Sequence, residues 1–264
     1  GQGADELHAG YSRYRNLPAH SNLVTSRMDL SGKKAVVFGG TSGIGLATSL
    51  LLAGDGAEVT AISRKPDKAG DVPNGISTRA CDVLDRGAVE AILDELSPID
   101  ILVTAATGGK RAYGPFLEMD LDGYKASFDK LWGYANVIRF GAKHVSDGGS
   151  ITLVSGAPAR NCQPGQVALS SVGGAVEAMM RAVAREVAPR IRVNAVSPGT
   201  IDTPMVIVQG AEREELYRKT TKNNLIPRAG KADEVAQGIL FVIKNKFVTG
   251  TTVDVDGGWL LREP

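Results

Sequence analysis

The sequence predicts an α/β protein: one domain, with a parallel sheet covered by helices on both faces. Three observations carry this. First, the apolar run Ala35-Val36-Val37-Phe38 enters a glycine turn, Gly39-Gly40-Thr41-Ser42-Gly43-Ile44-Gly45, which opens a helical pattern through Leu46, Ala47, Leu50 and Leu51. Second, short apolar runs then alternate with amphipathic stretches to the C-terminus, the order that builds parallel strands joined by crossover helices. Third, 264 residues with 43% apolar content suffice for one sizeable core.

Composition narrows the function. A formal charge of +1 without basic clusters argues against nucleic acid or an anionic membrane as main partner and leaves a small-molecule substrate. Cys81 and Cys162 have neither disulfide-framework nor metal-ligand spacing, so no metal is expected. No apolar stretch is expected to approach the ~20 residues of a membrane span, and the polar N-terminus lacks a signal-peptide core. A cytoplasmic protein with reduced thiols is the expectation. Residues 1–29 read as an N-terminal extension and 30–264 as the domain.

The glycine turn is the first functional element. Glycines let the backbone approach a pyrophosphate closely, and the free N–H groups at the helix start favour its charge. Ala57–Ile62 forms the second strand and ends at Ser63-Arg64-Lys65. An NAD site places a carboxylate at this tip, whereas a 2′-phosphate favours an arginine fork. Ser63 occupies the acid's place, so NADP(H) is preferred over NAD(H); a solvated Arg–Lys pair is the alternative. The third strand, Ile76–Ala80, leads to Cys81-Asp82-Val83, and a helix follows with Val89, Ile92, Leu93 and Leu96 on one face. Asp100–Val103 is the fourth strand, running into Thr104-Ala105-Ala106-Thr107. After a loop holding Lys110, Arg111 and Tyr113, apolar residues spaced by three and four predict one long helix over Leu121–Val145, with His144 at its end. Ser150–Ser155 is the fifth strand. The next helix carries Val172, Val176, Met179, Met180, Val183 and Val187, and Ile191–Val196 is the sixth strand. The charged stretch Val206–Asn224, with Tyr217, suits a substrate lid. Val235–Ile243 is helical, and Phe247–Gly258 closes the sheet.

The Gly-x-x-x-Gly-x-Gly spacing, Asp82-Val83, the loop Ser197–Pro204 and Ala184-Arg185-Glu186-Val187 resemble the short-chain dehydrogenase/reductase family, in order from Leu30 to about Leu261. The resemblance implies a Rossmann-type, doubly wound, seven-stranded parallel sheet. It also implies a cofactor set: Gly39, Thr41, Ser42, Gly43, Ile44 and Gly45 at the glycine turn; Ser63, Arg64 and Lys65 at the second strand tip; Asp82 and Val83 at adenine. Thr104, Ala105 and Ala106 would flank ribose, and Pro198, Gly199, Ile201 and Thr203 the nicotinamide carboxamide. A homodimer or homotetramer through the helices over Leu121–Val145 and Val172–Val187 is implied as well.

Members of that family reduce carbonyls with a Tyr-x-x-x-Lys pair, a serine before it and an asparagine on the long helix. Counting from Ala184–Val187 puts Leu169 at the tyrosine, Gly173 at the lysine and Gly156 at the serine (with Ser155 one residue early), and Lys130-Leu131-Trp132-Gly133, standing where the family has Asn-Leu-Lys-Gly, puts Lys130 at the asparagine. General acid catalysis supplies about 10²–10⁴-fold, whereas orientation of reactants supplies roughly 7–11 kcal/mol. The sequence therefore predicts an NADPH-dependent oxidoreductase with a non-standard active site, reducing an acceptor that needs no proton, such as an iminium or activated C=N of a bulky small molecule. Gly156 and Gly173 would leave room for it, and Tyr113, Trp132 or Tyr217 would offer an aromatic face. Lys130 is the candidate catalytic residue, reaching toward the space left at Gly173, against a solvated helix-flank lysine. Arg160, Asn161, Cys162 and Gln163 are candidate substrate contacts or plain loop surface. Two other readings stay open: a cyclase or isomerase using the same pocket, and a non-catalytic NADP(H)-binding protein. The Pro198–Thr203 loop favours the first reading, and the empty tetrad positions the last.

Overall fold

A computed structural model of the chain describes residues 29–69, 72, 75–107 and 111–262. The expected extension, residues 1–29, lies outside the described residues except for Asp29.

Seven parallel strands form the main sheet: β1 (Lys34–Phe38), β2 (Glu58–Ser63), β3 (Ile76–Ala80), β4 (Ile99–Thr104), β5 (Val145–Val154), β6 (Arg192–Pro198) and β9 (Thr252–Val255), in the spatial order β3-β2-β1-β4-β5-β6-β9. Between β1 and β4 the chain order reverses, which opens a crevice at the C-terminal ends of the strands. The central strands are apolar along their length because both faces are covered. In β1, Val36 and Phe38 face one layer while Ala35 and Val37 face the other, as the two-residue strand period requires.

One layer holds helices α1 (Gly43–Gly54) and α7 (Ala232–Lys244), whose Leu52, Val235, Ile239 and Val242 are fully buried. The other holds α2 (Arg86–Leu96), α4 (Asp129–Gly141) and α5 (Val167–Val187), burying Val89, Leu93, Tyr134, Val137, Val176 and Met180. Burial of a large apolar side chain contributes about 1.5–3 kcal/mol, so these two layers hold the sheet together. Among the described residues, α5 alone has the length and apolar composition of a membrane-crossing helix, contrary to the expectation from sequence. Its Val172, Val176, Met180 and Ala184 are buried on the sheet, and Arg181 and Arg185 interrupt the rest, which is the pattern of a core helix.

Three other expectations change. The long helix is broken into α3 (Leu121–Ser127) and α4 at Phe128. Ser127 Oγ donates to the Gly123 carbonyl and accepts the Ala112 N–H, both at 2.9 Å, a side-chain intrusion of the kind that bends helices. Val145 starts β5, paired with Ile99, and His144 sits in a single helical turn with its Nε2 2.7 Å from Asp94 Oδ1. A second, two-stranded sheet of β7 (Ile201–Asp202) and β8 (Gly230–Lys231) was not legible, because two-residue strands carry no periodicity. The lid stretch contains α6 (Gly210–Thr221).

Candidate active site

A cleft of about 740 Å³ opens at the C-terminal ends of the strands, running from Gly39 and Arg64 to Lys130, Leu169 and Trp259. Its floor at one end is the turn after β1. A Cβ on Gly45 would stand 2.0 Å from the Gly39 carbonyl oxygen, and one on Gly39 2.6 Å from the Ala106 nitrogen. Gly39 also has φ +81°, a left-handed conformation that favours glycine. Ser42 precedes α1 in extended conformation without capping the helix by its side chain, and no acidic residue sits in the first turn. The N–H groups of α1 thus face the cleft with their positive end uncompensated, a site suited to a pyrophosphate.

At the tip of β2, Ser63 Oγ is buried without a partner among the described residues, and the exposed Arg64 lines the cleft beside it. An orphaned hydroxyl next to a guanidinium fits a phosphate better than a neutral ribose hydroxyl. Asp82 and Val83 line the same end, with Asp82 Oδ1 accepting the Leu84 N–H at 3.0 Å. Burial, reinforced by Asp85 and Asp82, pushes the neighbouring Cys81 thiol up to about 11, so it is a poor nucleophile.

The far end is closed by the loop after β6. Gly199 packs so tightly that a Cβ would lie 2.7 Å from the Asp256 carbonyl oxygen, and one on Gly43 would meet Thr203 Cβ at 3.4 Å. Pro198, Gly199, Ile201 and Thr203 all line the cleft. Arg213 on α6 clips the loop by bonding the Asp202 carboxylate and the Thr203 carbonyl (2.9 Å), and its guanidinium stacks 5.5 Å from the Tyr217 ring. Tyr217 Oη donates to Asp202 Oδ1 at 2.9 Å; burial and that carboxylate raise its pKa. The Arg213 guanidinium holds Asp202 below the usual carboxylate range.

Most of the residues predicted from sequence converge here: Gly39, Ser42, Gly43, Ile44, Gly45, Ser63, Arg64, Asp82, Val83, Ala105, Ala106, Lys130, Gly156, Leu169 and Gly173 all line the cleft. Three do not. Thr41 and Thr104 are buried outside the lining, and Lys65 is exposed and not part of it. Of the aromatic faces, Tyr113 and Tyr217 line the cleft while Trp132 is 57% exposed outside it. The loop candidates turn elsewhere: Arg160 bonds Asp254 and Glu177, Asn161 bonds the Trp259 carbonyl, Gln163 bonds Asn161, and Cys162 is exposed. The space expected at Gly173 is taken by Ala159, whose Cβ lies 2.9 Å from where a residue-173 Cβ would stand.

Ser155, directly after β5, is a hub. Its Oγ donates to the buried Glu177 at 2.7 Å and accepts the Gly156 N–H at 2.5 Å, while its carbonyl accepts from Lys130 Nζ at 3.0 Å. Sequence reasoning missed Ser127, Tyr134, Gln166, Leu216 and Trp259 in the lining. The spacing of Tyr134, four residues after Lys130 on one helix face, was the available signal.

A family model described as Enoyl-(Acyl carrier protein) reductase matches residues 39–260. The 3-oxoacyl-acyl-carrier-protein reductase FabG of Thermotoga maritima is 33% identical over 252 residues, 89% of this chain and 100% of that one. A small-chain dehydrogenase crystallised in complex with NADPH superposes with TM-score 0.77 at 32% identity, covering 87% of this chain and 99% of its own. A short chain dehydrogenase from Burkholderia cenocepacia in complex with NADP gives TM-score 0.77 at 31% identity, covering 88% and 99%.

Proposed function

Because the chain belongs to the short-chain dehydrogenase/reductase family, we propose that it is an NADP(H)-dependent oxidoreductase acting on a small molecule through a non-standard active site. One observation carries the reading: a single cleft joins the glycine cradle and Ser63–Arg64 at one end to the clipped Pro198–Thr203 loop at the other. A protein that only held the nucleotide would not need that second end formed.

NADP(H) supplies a hydride when bound. The chain's own residues would do the rest. The α1 N-terminus and glycine turn hold the pyrophosphate, Arg64 and Ser63 the 2′-phosphate, and Asp82 the adenine end. Ala105 and Ala106 leave passage for ribose, and the loop Pro198–Thr203 orients the carboxamide. Leu169 and Gly173 put no phenol and no ammonium on the α5 side of the cleft. A second reading, an iminium or activated C=N acceptor, is favoured by the faces of Tyr113 and Tyr217, which can attend a cation. Domain limits of 30–264 and a homodimer or homotetramer complete the proposal; Leu117, Leu121 and Trp132 stand exposed on and beside α3 and α4.

The test is a spectrophotometric panel following NADPH with 2-oxo acids, ketones and cyclic iminium salts, beside calorimetric titration of NADPH. Turnover of any acceptor above background is expected. Tight NADPH binding with no turnover would replace the reductase by a nucleotide-binding protein. Light scattering at micromolar concentration checks the assembly, and a monomer contradicts it.

A further inference from the structure

Lys130 is a cation in the catalytic half of the cleft without an assigned task. Its ammonium donates to the Ser155 carbonyl and stands 5.5 Å from the Tyr134 ring, and it forms no ion pair among the described residues. Four hydroxyls of this lining have their protons committed. Ser155 Oγ donates to Glu177, Tyr134 Oη to the Val154 carbonyl at 3.0 Å, Tyr217 Oη to Asp202 and Ser127 Oγ to Gly123. Tyr134 is fully buried, which raises its pKa further. A second cation, Arg111, lines the same cleft, and the acid in that lining among the described residues is Asp82, at the opposite end.

We propose that Lys130 is the proton donor of this reductase and that the acceptor is a small oxo acid, its carboxylate met by Arg111 and its carbonyl oxygen by the Lys130 ammonium. The inference rests on the reductase reading above. In the step, the C=O π bond, one C4–H bond of the reduced nicotinamide and one Nζ–H bond break; a C–H and an O–H bond form on the acceptor, and the nicotinamide ring is left as its aromatic cation. The carbonyl carbon gains the two electrons that the reduced nicotinamide nucleotide loses, Lys130 becomes a neutral amine, and water returns its proton. Ser155 stays a spectator to proton transfer, because it offers its hydrogen to Glu177. The Glu177 carboxylate accepts from Ser155 and pairs with the Arg160 guanidinium at 3.3 Å, with Arg181 at 3.9 Å, so its charge is met by those two cations and not by Lys130.

Electrostatics supports the geometry. Burial, then the charge of Arg111, brings the Lys130 ammonium from its ordinary value down to about 7, so both protonation states are populated near neutrality. Two cations facing the acceptor outweigh the Tyr113 and Tyr217 faces: full charges repel a cationic iminium more than ring faces attract it, and they favour an anion.

The first experiment needs no turnover. Competitive acetylation of the nucleotide-free chain by acetic anhydride from pH 5 to 11, read by peptide mass spectrometry against Nα-acetyl-lysinamide, is expected to give Lys130 a midpoint near 7. The second compares wild type with Lys130→Met, and with Lys130→Gln should the first fold poorly. A 100-fold or greater loss of kcat is expected on an oxo acid with NADPH affinity within about threefold, and the wild-type fall of kcat above pH 7 disappears from the residual activity. Arg111→Gln raises the oxo-acid KM tenfold or more. A Lys130 midpoint equal to the standard, or a variant keeping more than a tenth of kcat, overturns the proton-donor role. Equal wild-type KM values for an oxo acid and its matched methyl ketone overturn the choice of acid. A chain that binds NADPH and reduces nothing defeats the reductase reading, and this inference with it, whatever the acetylation midpoint.

Discussion

Replacing Lys130 by methionine should stabilise the protein at neutral pH, an unusual outcome for a truncated contact. A cation whose pKa falls from 10.5 to about 7 on folding costs, as a ceiling, about 5 kcal/mol at 1.36 kcal/mol per unit. Two terms reduce the gain. The hydrogen bond to the Ser155 carbonyl contributes about 1 kcal/mol, and Lys130 is partly exposed at a cleft wall, where water screens its charge even though its ammonium is enclosed by protein. A net gain of about 1–3 kcal/mol at pH 7 follows. The sign of the pH dependence is fixed by which state holds the proton. Between pH 7 and 10.5 the unfolded chain keeps the Lys130 proton and the native chain releases it, so wild-type stability rises with pH in that window. The advantage of the variant is therefore largest at and below pH 7 and shrinks by up to about 1.4 kcal/mol per pH unit above it. Urea unfolding of the nucleotide-free proteins at pH 6, 7, 8 and 9 measures it. With m about 2–3 kcal/mol/M, the midpoint rises by roughly 0.5–1 M at pH 7. A variant less stable than wild type at pH 6, or a difference flat with pH, would refute the picture of a desolvated ammonium.

Arg64→Ala should lower the preference for NADPH over NADH by roughly ten- to hundredfold, since a charge-assisted contact to phosphate contributes about 1.5–3 kcal/mol; paired titrations read the ratio, and an unchanged ratio moves the phosphate elsewhere. Gly45→Ala drives a Cβ to 2.0 Å from the Gly39 carbonyl oxygen and should cost about 1–3 kcal/mol in urea unfolding together with most NADPH affinity. Leu169→Tyr with Gly173→Lys should reduce ketones no faster than Leu169→Tyr alone, because the lysine Cβ would meet Ala159 Cβ at 2.9 Å and its Cα at 3.3 Å.

Where strands are buried on both faces and helices carry a three-and-four seam, the pattern in the chain maps directly onto the fold. The β1–α1 turn is the clearest case: Phe38 is fully buried, α1 starts at Gly43, and Gly45 tolerates no side chain. The break at Phe128 was not legible, because the seam through Phe128, Leu131 and Ala135 continues across it and the cause is a single Ser127 hydroxyl. Nor was the burial of Thr41 and Thr104. Both belong to motifs that line the cleft, yet their side chains fall on the inner side of the backbone, a matter of local orientation rather than residue type. Lys130 stood out by its place in Lys130-Leu131-Trp132-Gly133, whereas its enclosure and its neighbour Arg111 come from tertiary packing.

Glu177 shows how the α5 face that carries Gly173 is tied to the backbone around it. Gly173, Glu177, Met180 and Ala184 form one stripe on the buried face of α5, so a carboxylate there must find cations or hydrogen-bond donors. It finds Ser155, Arg160 and, more distantly, Arg181. Arg160 also grips Asp254 of β9, so the turn Ala157–Ala159 just before it is tied to two elements at once. That turn delivers Ala159 onto Gly173. Without Arg160 the buried Glu177 carboxylate would lose its nearer cation, a penalty that holds the turn in place although Arg160 itself is half-exposed. The channel a lysine at 173 would use is thus closed by the same contacts that turn the Ser155 hydroxyl onto Glu177. Glycine at 173 and glutamate at 177 are two halves of one arrangement, and Lys130 is the cation that arrangement leaves beside the Ser155 carbonyl.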